Sequence, residues 1–279
     1  SGILAAPTPL LRGWLARVEP NNAQGEYYLT DVIAMAVADG VQVAGIKACT
    51  PEEVTGINDR IQLAQLERVL QRRMAEALMA EGVTIADPER LDIRGRVTAG
   101  PDTFIDVNVV FEGDVVLGEN VTVGPGSIIT DSKIGSGTVV MPHTVVEGAT
   151  VANDCSLGPF ARIRPGSTLD GGVKIGNFVE AKKAQLGPGS KASHLAYLGD
   201  VEIGAECNIG AGAVTCNYDG VNKHKTTIGD GVFNGTNATI VAPIDIEDGA
   251  FVAAGSSVTM KVESVDLAGD AHPQRTITA

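Results

Sequence analysis

The stretch KASHLAYLGD, residues 191–200, sets His194 inside a long apolar, glycine-spaced pattern that has no evident use for a titratable ring. An imidazole changes charge near neutral pH, with an ordinary pKa of about 6.5, so it is the residue type suited to taking a proton from an amine. The bland reading is that an isolated histidine packs or sits on the surface, and His143 and His272 belong to that class. Zinc chemistry needs more ligands than this pattern offers. His194 and His224 lack a third histidine at suitable spacing, and Cys49, Cys155, Cys207 and Cys216 form no CxxC pair.

Composition narrows the chemistry further. The 279 residues are 44% hydrophobic and 20% charged, which is globular material with enough apolar surface for one or two cores. A net charge of −13 opposes nucleic acid and anionic membrane as main partners, so any phosphate-bearing ligand must be met by local cations. No run of about 18 apolar residues is long enough for a bilayer, and no secretion signal is seen, so a cytoplasmic location is expected. Free thiols fit that compartment. The chain opens on SGILAAPTPLL without a methionine, which is expected of a piece of a longer protein.

The elements that must position these residues fall into two unlike stretches. Residues 1–58 read as mixed α/β: YYLTDVIAMAVADG has Thr30 as a cap, an apolar helical run and Gly40 as a stop, and VQVAGIKA reads as a strand. A longer helix follows from Asn58, with Leu63, Leu66, Leu70, Met74 and Leu78 at spacings of three and four, closing at Gly82. Its stripe is expected to dock on a core, within a connecting segment 59–95.

Beyond that segment the helical spacing gives way to aliphatic residues recurring every six. Examples are Phe111, Leu117, Val123 and Ile129, then Val151, Leu157, Ile163, Leu169 and Ile175, and later Ile240, Ile246, Val252 and Val258. A six-residue period of this length predicts a parallel β-helix over 96–262, roughly nine coils of about 18 residues, each with three short strands. Steps of five at 129–134, 146–151, 181–186 and 198–203 predict shortened corners. Cys155 and Cys207 fall at small inward positions. CNYDGVNKHKTT, residues 216–227, predicts an external loop, the usual place for a rigid scaffold to meet a ligand. Residues 263–279 remain as a tail.

The strings GPFARIRPG, GNFVEAKKAQLG, KASHLAYLGD, NIGAGAVTCNYDG and NKHKTTIGD, in that order, resemble the acetyltransferase domain of the bacterial bifunctional N-acetylglucosamine-1-phosphate uridyltransferase / glucosamine-1-phosphate N-acetyltransferase family. NNAQGEYYLTDVIA and GINDRIQLAQLERV resemble the end of the uridyltransferase domain and the linking helix of the same family, so the likeness covers nearly the whole chain. The resemblance implies a mainly β fold with a left-handed solenoid, preceded by a truncated nucleotidyltransferase remnant. It implies a homotrimer whose site lies in a cleft shared between chains and partly closed by the external loop. It also implies acetyl-coenzyme A as co-substrate, and Mg²⁺ only for the uridyltransferase half of a full-length parent.

Residue by residue, the resemblance makes His194 the base and matches Arg164, Lys182 and Lys223 to the cations around the sugar phosphate. A guanidinium fork with ammonium groups is a physically sound phosphate clamp. Tyr197 and Asn208 match sugar contacts, Asn217 and Tyr218 lie where both substrates meet, and Ala211, Thr236 and Ala254 match coenzyme contacts. Glu180 is the expected orienter of His194. Arg162 and Lys183 read as solvated neighbours. Asn58 matches one ligand of the family's Mg²⁺ site, but the nucleotide-binding half and its aspartate are absent from this sequence, so no uridyltransferase activity is expected. Ala271 stands where the family has a basic residue for the coenzyme, with Arg275 a possible substitute. Rival readings are a γ-class carbonic anhydrase, a lipid-A or other hexapeptide acyltransferase, and a non-catalytic assembly module.

Overall fold

The computed structural model describes residues 3–269, in two compact units that divide between residues 69 and 70. His272, Arg275 and Ala271 lie outside the described residues. In the first unit α1 (Thr8–Leu15) and α2 (Asp31–Ala38) enclose a small cluster of Trp14, Val32 and Ala36. The Trp14 indole donates to Asp39, whose carboxylate also pairs with Arg17. Thr30 precedes α2 without a side-chain capping bond, and Gly40 follows it with a positive φ. Residues 41–48, expected as a strand, have no regular structure, and Val43 and Ile46 are exposed. A strand requires a neighbour to pair with, and the described residues of this unit contain no other strand.

The helix from Asn58 is α3 (Arg60–Ala80). Only part of its expected stripe is covered. Leu63 and Leu70 are 51% and 50% exposed, whereas Ala75 and Leu78 join the core of the second unit. Gln71, on the same face, is the closer anchor: its amide donates to the Ile93 carbonyl and accepts from the Ile93 N–H, so a buried polar group is matched on both sides.

From Thr84 the chain winds as a parallel β-helix, as the six-residue period predicts. Among the described residues an eleven-stranded sheet makes the first face, and a seventeen-stranded sheet covers the other two. All pairings between its strands are parallel, offset by about one coil: Thr150 pairs with Thr168, Ser156 with Lys174, and Glu180 with Tyr197. The repeating aliphatics point inward and are fully buried, including Phe111, Ile129, Leu157, Ile163, Leu169 and Ile175. Burial of each contributes about 1.5 to 3 kcal/mol. Cys155 and Cys207 are buried in the same stack, and burial raises both thiol pKa values. Asn234 takes one inward position, and its amide finds no hydrogen-bond partner among the described residues.

The corners explain the slips in period. Each five-residue step turns on one residue with positive φ: Asp131, Gly148, Lys183 and Asp200. The corner between the first and second faces likewise stacks positive-φ residues, His143, Phe160, Phe178, Leu195, Gly212, Asn237 and Gly255. His143, Phe160 and Phe178 form a ring ladder, with centroids 5.1 and 5.5 Å apart. His143 is thus a packing residue, as expected.

Candidate active site

His194 ends the first-face strand Lys191–His194, one residue before the corner at Leu195. Parallel pairing places Asn177 directly beneath it, and the imidazole Nδ1 lies 2.7 Å from Asn177 Oδ1. Carrying the same register forward stacks Ala211, then Thr236, then Ala254 above His194. The backbone bonds Gly212 N to Leu195 O, Asn237 N to Ala211 O and Gly255 N to Thr236 O continue that ladder. Four residues picked from scattered strings thus share one edge of the solenoid.

The cations gather past the corner, on the second face. Arg164 donates to Glu180 at 2.8 Å, both side chains being about one-third exposed. Glu180 is therefore engaged by Arg164, and the expected contact with His194 does not form. Glu180 stands between Arg162 and Tyr197 on the second face, whereas His194 closes the first. Lys182 is paired with Asp200 at 3.6 Å, with side chains only 15% and 18% exposed. Lys223, on the external loop, stands close enough to Lys182 for the two amines to influence each other. The contact pushes the Lys182 pKa up and the Lys223 pKa down, since two adjacent amines resist carrying two charges together. Among the described residues no hydrogen bond or ion pair joins His194 to Arg164, Lys182 or Lys223.

Asp200 organises this side of the site. Its carboxylate also accepts from the Asn217 amide, and its carbonyl accepts from Thr226 N, so one corner residue meets Lys182 and both ends of the external loop. Inside the loop Asp219 accepts from Val221 N, Asn222 N and His224 Nε2, which hold its carboxyl far below the usual carboxylate range, the Asn222 N–H foremost. Tyr218 is exposed, its hydroxyl donating to Gly220 O. Tyr197 lies over Gly199, where an added Cβ would come within 2.5 Å of the phenol oxygen, so the close approach requires glycine. Asn208 sits apart, in the middle of the first face between Lys191 and Phe233. A groove of about 480 Å³ along the third face, beside Gln185 and Glu202, includes neither His194 nor the cations.

Sequence reasoning missed Asn177 and Asp200. The repeat register identifies both, Asn177 as the residue one coil before His194 and Asp200 as the turn of a five-residue step. Asn58 is exposed, its backbone N–H bonded to Gln62, while the neighbouring Asp59 carboxylate accepts from Gln62 N. Among the described residues no group of three or more His, Cys, Asp or Glu side chains is placed to hold a metal ion. No helix among them is long and apolar enough to cross a membrane.

Comparison with known proteins agrees with the repeat. The family model described as the GMPPB C-terminal domain matches residues 93–191, and that of the hexapeptide repeat of succinyl-transferase matches 225–260. A protein from Alkalilimnicola ehrlichii named bifunctional protein GlmU is 54% identical over 277 residues, 99% of this chain and 60% of that protein. Its namesake from Pseudomonas putida is 54% identical over 278 residues, 100% of this chain and 61% of that protein. A UDP-N-acetylglucosamine acyltransferase of known structure from Campylobacter jejuni is 18% identical, with a TM-score of 0.36 over 68% of this chain and 71% of that one. The chain is thus similar to the bifunctional GlmU proteins over nearly its whole length, and it spans about 60% of theirs.

Proposed function

We propose that the solenoid moves acetyl from acetyl-coenzyme A to the amine of glucosamine 1-phosphate, giving N-acetylglucosamine 1-phosphate for synthesis of the UDP-sugar used in cell-wall peptidoglycan and lipopolysaccharide. The observation that carries this reading is the grouping of Arg164, Lys182 and Lys223 on the second face and its loop, one corner away from His194. The three cations bind the sugar phosphate, and Tyr197 and Asn217 border the sugar. His194 takes a proton from the acceptor ammonium. The freed nitrogen attacks the thioester carbonyl, and the negative charge collects on its oxygen; collapse breaks the C–S bond and expels the coenzyme thiolate, which takes up the second proton shed by the nitrogen as it becomes the amide, while His194 releases the first to solvent. Ala211, Thr236 and Ala254 line the corner along which the coenzyme lies.

The active assembly is a cytoplasmic homotrimer with the site shared between chains. Asn208 stands away from the cations of its own chain, and a shared cleft reconciles it with a role at the sugar. The stacked rings of Phe233 and Phe251, exposed on the first face with centroids 4.7 Å apart, supply apolar surface for such an assembly. Residues 1–58 are the end of a pyrophosphorylase domain, 59–95 its linker, 96–262 the acetyltransferase domain and 263–279 its tail. Uridyl transfer and its Mg²⁺ belong to a full-length parent. A thiol-release assay with acetyl-coenzyme A tests the reading: glucosamine 1-phosphate should be strongly preferred over glucosamine, whose lack of phosphate leaves the cations unmatched. Equal rates with both, or release with neither, would overturn it. A fully active monomer in sedimentation at assay concentration would remove the trimer.

A further inference from the structure

Asn177 is uncharged, ordinary in composition and absent from the clamp, yet it makes the one side-chain hydrogen bond to His194 found among the described residues, at 2.7 Å. We propose that Asn177 is a positioning residue that fixes the proton of His194 on Nδ1 and leaves Nε2 as the basic nitrogen; the inference rests on His194 being the base of the proposed reaction. An amide oxygen only accepts, so the imidazole nitrogen facing Asn177 Oδ1 must donate. A neutral imidazole has a single N–H, and with Nδ1 protonated the lone pair is on Nε2.

The backbone shows why the pair forms. One residue before Asn177, a Cβ on Gly176 would lie 1.8 Å from the Ser193 carbonyl oxygen, so only glycine lets the two segments stack this tightly. Register then pairs Asn177 with His194, and the Leu195 N–H donating to the Asn177 carbonyl at 3.0 Å closes the corner over them. The side chain and main chain of Asn177 thus grip two consecutive residues of the next coil.

The surroundings suit an amide. Ala211 follows His194 in the register, and Phe178 and Gly212 occupy the adjacent corner positions. Titratable groups on the flanking elements are Lys174 and Lys191 on the first face, with Glu180 and Tyr197 beyond the corner, and Glu180 is held by Arg164. An aspartate at 177 would put a negative charge against the ring and favour imidazolium, the form that is no base.

The test uses the whole chain and two kinds of measurement. Nitrogen-15 NMR of the ligand-free protein should show neutral His194 as the Nδ1–H tautomer; an Nε2–H tautomer would overturn the proposal. In acetyl-transfer assays Asn177→Ala should lower kcat about 3- to 10-fold at unchanged acceptor KM, the scale of one orienting hydrogen bond. Asn177→Asp, nearly the same shape, should move the acid limb of the kcat profile up by about one pH unit or more and recover turnover at higher pH. Parent-like kcat in Asn177→Ala together with an unmoved limb in Asn177→Asp would overturn the assignment. His194→Ala separates the two levels: if it retains parent kcat the base reading itself fails, whereas if it loses turnover while both Asn177 variants behave as parent, only the positioning role fails.

Discussion

The two corners that flank the second face are built of opposite materials. The first is built from stacked rings, aliphatic turns and an amide, and it holds His194 by a single uncharged contact. The second is built from charge: Asp200 grips Lys182 and Asn217, Lys223 leans in from the loop, and Asp219 ties that loop together. A binding group for phosphate gains from concentrated charge, because its ligand brings the counter-charge with it. A base must instead exchange a proton during each turnover, so a neutral scaffold orients it without favouring either state. The contrast makes turnover and binding separately addressable.

The largest expected effect is on the uncharged side. His194→Ala should lower kcat by about 10²- to 10⁴-fold with little change in acceptor KM. A folded variant within about threefold of the parent would leave the first corner without a chemical task. On the charged side Arg164→Ala should raise acceptor KM about 10- to 100-fold, the scale of hydrogen bonds to charged groups, while kcat holds. If kcat fell and KM stayed, the two corners would not divide the work as described.

A pH dependence of binding should appear at the charged corner. Lys223, its pKa lowered by Lys182, loses its proton below the ordinary lysine range as pH rises, so the phosphate loses a cation and acceptor KM climbs a few-fold there. Lys223→Met should remove the alkaline climb in KM; its persistence would place the titrating group elsewhere. The smallest effect is that of salt. Going from about 0.05 to 0.5 M should weaken acceptor binding about twofold while kcat stays level, since exposed charges are screened and an amide contact is not.

The sequence spoke most plainly where the physics was periodic. The six-residue spacing carried the β-helix, its inward aliphatics and even its five-residue corners, because the same burial constraint repeats at every coil. It could not show that Asn234 would be an orphaned amide in that core, nor that Leu63 and Leu70 would stay half exposed on α3. The apparent strand in VQVAGIKA had local propensity and no partner. At the site, the residue types of Arg164, Lys182 and His194 suggested their chemistry, but pairing across coils is not a local property. Glu180 was a reasonable orienter by type, and only the corner between it and His194 gives that task to Asn177.

The corner column Asn177, His194, Ala211, Thr236 and Ala254 also sets a scale of length. Adjacent coils are spaced by the distance between paired strands, about 4.8 Å, so Ala254 stands three steps, about 14 Å, along the edge from His194. An extended ligand laid on that edge is measured off in whole coils, each presenting one turn of backbone at a fixed interval from the reacting atoms. The solenoid is therefore a ruler whose graduations are its repeats. Excising one complete coil between His194 and Ala254 would leave each surviving turn well formed and bring the far contacts nearer by one graduation, mismatching a donor of unchanged length.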